Sequence, residues 1–190
     1  MIGFTRRWLL RAAGLLGALV LLVVVVRIWE AEHRPPLGPW HTVVPEEMHR
    51  DIVDAADWRR WMAAEQAVFD TVRREVTDAL DAAERVPSNR WYAGSPVNPA
   101  RFARDWNRSF VLEPQGAPVG AAVFLHGLTD APFSLRHLAE AYRARGFVAI
   151  GIRMPGHGTV PAGLTSAVWE DWMAATRLAM REARARAGEG

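Results

Sequence analysis

The stretch AAVFLHGLTDAPFSLRHLAEAYRARGF, residues 121–147, constrains the fold more than any other part of the chain. An unbroken apolar run reads as a strand covered on both faces, and it passes through His126 and Gly127 directly into a helical pattern. That helix, expected over 132–145, has Asp130 as a cap candidate, Pro132 in its first turn, and Leu135, Leu138 and Tyr142 on one face. Arg143 and Arg145 stand in its last turn and Gly146 is its stop signal. The same grammar continues around it, with strands expected at 109–113, 119–125 and 147–152 and a second helix at 167–186. Strand, helix, strand, helix implies an α/β fold built on a parallel sheet.

The amino-terminal end obeys a different rule. Residues 12–26 are uncharged and almost wholly apolar, bounded by Arg11 and Arg27 and flanked by Trp8 and Trp29. The uncharged core is shorter than the ~20 residues a bilayer helix needs. The two arginines can snorkel and the tryptophans suit the interfacial belts, so residues 8–29 read as a membrane span. No small-residue cleavage site follows the run, which favours an uncleaved signal anchor over a removed signal peptide. Arg6, Arg7 and Arg11 precede the span, which places the amino terminus in the cytoplasm of a single-pass bacterial inner-membrane protein and the bulk of the chain in the periplasm.

Five regions follow from the pattern: the anchor at 1–30, a Pro-rich spacer at 31–50, one long amphipathic helix at 51–86, a Pro- and Asn-punctuated loop at 87–107, and the α/β region at 108–190. In the long helix Trp58, Met62, Phe69, Val72, Val76, Leu80 and Ala83 form the expected apolar stripe, facing either the α/β region or a partner that the sequence does not identify.

Charge limits the function classes. The 23 basic residues are all arginine, 21 acidic residues offset them, and the two signs are interleaved along helical stretches. That is a solvated surface and speaks against nucleic-acid binding. There is no cysteine, hence no disulfide and no thiolate nucleophile. His126, His137 and His157 show no metal-ligand spacing, so no metal is expected, and the GHGTVPAG run has Pro161 where a dinucleotide fingerprint needs glycine, so no cofactor is expected either. Trp169 and Trp172 of the WEDW run read as core or pocket wall, with Glu170 and Asp171 favourable at a helix start.

The chemistry concentrates where the second strand ends. Backbone N–H groups of a turn at the carboxyl edge of a sheet are fixed donors that can hold a developing oxyanion. Together with RMPGHGTVP at the end of the next strand and WEDW beyond it, the His-Gly-Leu-Thr-Asp turn resembles the α/β-hydrolase superfamily, in its carboxylesterase, monoacylglycerol lipase and serine aminopeptidase branch, over residues 109–186. The resemblance implies that Leu128 offers its backbone N–H to a tetrahedral intermediate, and that His126, Gly127, Gly156, His157 and Gly158 are motif residues with structural roles. It also implies that His126 is not the catalytic base, since the family order is nucleophile, acid, histidine.

No nucleophile accompanies this turn. Ser88, Ser95, Ser109, Ser134 and Ser166 all lie outside a G-x-S-x-G elbow, which the resemblance would put on the strand after the last helix. The sequence therefore reads as the amino-terminal part of a membrane-anchored serine hydrolase of carboxylic esters, inactive by itself, whose strand 119–125 would be an unpaired edge. Two other readings stay open: a non-catalytic anchored module that binds a partner through its long helix, and an aminopeptidase or other chemistry on the same fold.

Overall fold

The computed structural model describes residues 2–34 and 36–187. Residues 1 and 188–190, which end the first and last expected regions, and residue 35 of the expected spacer lie outside the described residues. The chain divides into two units, Met1–Pro36 and Leu37–Gly190.

The first unit is one helix, α1 (Ile2–Glu32). Within it Leu10–Glu32 is long and apolar enough to cross a membrane, and none of that apolar surface is buried by protein. At 1.5 Å per residue those 23 residues measure about 34 Å, against a hydrocarbon core of about 30 Å.

The second unit is mixed α/β around a three-stranded sheet in the order β1–β3–β2. Strand β2 (Gly120–Leu125) leads through helix α5 (Arg136–Arg143) to β3 (Phe147–Ile152), and β2 and β3 pair in parallel with Leu125 beside Ile152. Strand β1 (Phe110–Leu112) pairs antiparallel with β3. This corrects the expectation of an all-parallel sheet: β1 and β2 are joined by the short Gly-Pro connection, not by a crossover helix, so the strand grammar holds only from β2 onward.

Period two explains how β3 is covered on both sides. Val148, Ile150 and Ile152 face Ala174, Ala175, Leu178, Ala179 and Ala183 of helix α6 (Trp169–Ala187), with Val53 and Trp61 completing the layer. Ala149 faces the other way into Phe110, Leu112, Phe124 and Ala139, beneath α5. Gly151 on that face is a packing requirement, since a Cβ there would stand 2.4 Å from the Phe110 ring.

The helix expected over 51–86 is not continuous. It divides into α3 (Arg50–Ala55) and α4 (Trp58–Val72), followed by a π-helical turn at Arg73–Thr77 and a short 3-10 turn at Ala82–Glu84. Asp57 makes the break, because its side chain caps α4 by accepting the Arg60 N–H at 2.7 Å. The buried face also differs from the expected stripe: it runs through Trp61, Glu65, Val68, Val72 and Val76, while Trp58 and Met62 are half-buried and Ala83 is exposed. A carboxylate inside the stripe displaced the reading.

The expected spacer at 31–50 also needs correction in its second half. Residues 37–49 belong to the globular unit: helix α2 (Pro39–Thr42) carries Trp40, whose ring stacks on Trp91 at 5.0 Å, and Glu47 is buried.

Candidate active site: the turn after strand β2

Because β2 and β3 are parallel, the turns that follow them emerge side by side. His126 and His157 tie these turns together. His126 Nε2 accepts the Met154 N–H at 3.0 Å, which leaves its ring proton on Nδ1, donated to the Gly127 carbonyl at 2.9 Å. His157 Nε2 lies 2.6 Å from the Leu128 carbonyl and its Nδ1 3.0 Å from that of Pro155, which also accepts the Trp172 indole N–H at 3.0 Å. The three rings stack edge to face, His126 on His157 at 5.0 Å and His157 on Trp172 at 5.4 Å.

The glycines divide by function. Gly156 and Gly158 have φ of +81° and +75°, and a Cβ would stand 2.9 Å from the Gly163 carbonyl oxygen at the first and 2.8 Å from that of Asn107 at the second. Neither position accepts a side chain. Gly127 instead has no heavy atom within 4 Å of where its Cβ would be, so the space above it is open. The carbonyl of Leu128 is occupied by His157, but among the described residues nothing accepts the Leu128 N–H. A free donor beside open space is the arrangement an incoming oxyanion requires.

The titrating groups of the turn are shifted by their surroundings. Burial pushes His126 below the ordinary imidazole range, with His157 and Arg153 adding to the effect against the Gly127 carbonyl and Asp130. For Asp130 burial acts upward, but the Ser134 hydroxyl and the Ala131 N–H, with the two histidines near, outweigh it and hold the carboxyl below its usual range. Asp130 thereby closes the turn from below, accepting from Ala131 at 2.7 Å and from Ser134.

Beneath the second turn lies a buried ion triad that the sequence reading missed. Arg153 donates to both Glu47 oxygens at 2.7 and 2.9 Å, to Glu65 at 3.0 Å, and to the His157 carbonyl at 3.0 Å. All three side chains are at most 2 % exposed. Burial acts to lower the guanidinium's pKa, but the two carboxylates outweigh it and hold the pKa above its ordinary value. Glu65 carried a signal, since it sits at helical spacing between Trp61 and Val68; Glu47 carried none, lying in an irregular segment.

None of the five serines is placed as a nucleophile. Ser109 accepts from the Trp61 indole and the Arg153 N–H and donates to Glu65, which saturates it. Ser95, Ser134 and Ser166 donate to Pro87, Asp130 and Gly163, none of them a histidine. Ser88 lines an open cleft of about 470 Å³ with Trp40, Arg90 and Trp91. Of the WEDW residues, Trp169 is exposed and not core, while Asp171 is buried and accepts the Arg50 N–H at 2.7 Å. His137 is exposed on α5, and among the described residues no three His, Asp or Glu side chains converge as metal ligands.

No family model matches the chain. Over 60 residues it is 38% identical to a thermostable monoacylglycerol lipase of Bacillus sp. (strain H-257), a match that takes in 32% of this chain and 24% of the lipase. The match thus spans about a quarter of that lipase's length, and the described sheet holds three strands.

Proposed function

We propose that the chain is the amino-terminal portion of a membrane-anchored serine hydrolase that cleaves carboxylic esters. The observation that carries this is the Leu128 N–H, free of any described acceptor and next to open space above Gly127, at the carboxyl edge of a parallel strand pair. In that reading a serine outside residues 1–190 attacks the ester carbonyl and the Leu128 N–H stabilises the tetrahedral oxyanion before the acyl-enzyme is hydrolysed. The likeness to a monoacylglycerol lipase supports an ester substrate with an apolar acyl chain. The apolar helix within α1 supports a single-pass anchor in the bacterial inner membrane, with the amino terminus cytoplasmic and residues 37–190 periplasmic.

The test uses the intact gene product in nanodiscs, treated with a fluorophosphonate and assayed with p-nitrophenyl esters and monoacylglycerols. Covalent labelling with ester turnover is the expected result; a protein that takes no label and turns over no ester overturns the reading in favour of a non-catalytic module, and turnover of N-terminal peptide amides alone moves it to an aminopeptidase. Leu128→Ala keeps the N–H and should retain activity within a few-fold, while Leu128→Pro removes it and should lower kcat by about 10²–10³.

A further inference from the structure

We propose that Glu47, in the segment between the apolar helix and the sheet, is a positioning residue for the oxyanion turn; the inference rests on the function proposed above. Charge balance does not require Glu47. One carboxylate, Glu65, already pairs with Arg153, and Glu47 brings a second buried carboxylate to the same guanidinium.

What Glu47 adds is geometry. Its Oε1 accepts both Arg153 Nη1 at 2.7 Å and the Gly156 N–H at 2.9 Å, and its Oε2 accepts Arg153 Nη2 at 2.9 Å. The guanidinium so oriented donates to the His157 carbonyl at 3.0 Å. One carboxylate therefore fixes the turn 154–158 at Gly156 directly and at His157 through Arg153. That turn in turn holds the first one at two points, the His157 ring on the Leu128 carbonyl and the Met154 N–H on the His126 ring. The Gly127–Leu128 peptide, whose N–H is to meet the oxyanion, accepts at its Gly127 carbonyl from the His126 ring at 2.9 Å, and the peptide after it is held by His157, so the donor takes its orientation through successive hydrogen bonds from a side chain remote in sequence. Misplacement of a donor by a fraction of an ångström is felt in the chemical step and little in substrate binding.

The test is made on the intact protein in nanodiscs, labelled with 15N-histidine, with Glu47→Gln and Glu47→Asp. The expected result is that Glu47→Gln shifts the ring 15N signals of both His126 and His157 and lowers kcat by about tenfold or more with KM changed less than about twofold. Glu47→Asp, which keeps the charge, should recover part of both, and it reads the same signals if the glutamine variant does not fold. Ring signals that stay in place in a folded variant overturn the inference, as do shifted signals with unchanged kcat; a lowered Tm with normal kcat well below that temperature assigns Glu47 a purely structural role. Failure of the hydrolase reading is seen separately, in a wild-type protein that takes no fluorophosphonate label.

Discussion

Arg153 joins three parts of the chain far apart in sequence, since its partners are Glu47, Glu65 and the His157 carbonyl. Removing the cation leaves two carboxylates buried against each other, so Arg153→Met should destabilise the fold by about 3–5 kcal/mol in chemical denaturation. His126 gives a pH dependence with a definite sign. Its pKa is lowered in the folded protein, so below about pH 6.5, the ordinary imidazole value, the unfolded chain binds a proton that the folded one resists. Stability should therefore decrease as the pH is lowered through that window, and His126→Gln should flatten the slope of Tm against pH between 7 and 5. Asp130, whose pKa is also lowered, contributes stability that is lost only at more acid pH, below about 4, so the two effects separate. At this scale the motif residues His126, Gly127, Leu128, Gly156, His157 and Gly158 came from a resemblance of two turns to the α/β-hydrolases, and the structure sets those turns side by side after the parallel strands β2 and β3. The hydrogen bonds that tie them, and the carboxylate below, were not legible, because ring orientation and burial depend on elements distant in sequence.

Among the elements, α3 is held at both ends by α6. Asp171 of α6 accepts the Arg50 N–H at its start, and Arg181 of α6 donates to the Val53 and Ala56 carbonyls at 3.3 and 3.0 Å at its end. One helix thus satisfies orphan groups at both termini of another. Arg181→Ala should speed hydrogen exchange across Arg50–Ala55 while leaving the β3 amides protected. In the sheet, Gly151→Ala drives a methyl into the Phe110 ring and should cost about 1–3 kcal/mol, measured by denaturation. The strands could be read from sequence because their apolar runs are local; α5 is shorter than the helix expected over 132–145, since Pro132–Leu135 forms a 3-10 turn, and of its expected face Leu138 and Tyr142 are exposed while Ala139 is buried. The break between α3 and α4 had a local signal too, the Asp57 cap, which the expectation of one helix over 51–86 did not use.

For the whole molecule, the two units call for separate tests. If α1 anchors the protein, the intact chain should stay in the membrane pellet after alkaline carbonate washing, and a variant lacking residues 1–36 should be released; release of the intact chain would remove the anchor from the proposal. The sequence by itself determined the apolar helix and the β2–α5–β3 unit, because each follows from hydropathy period and turn residues over short stretches. Only the tertiary structure decided that β1 runs antiparallel, that residues 37–49 fold into the globular unit, and that Glu47, Glu65 and Arg153 meet beneath the candidate site. A buried charge is tolerated only where its partners converge, and convergence across a hundred residues is a property of the folded chain.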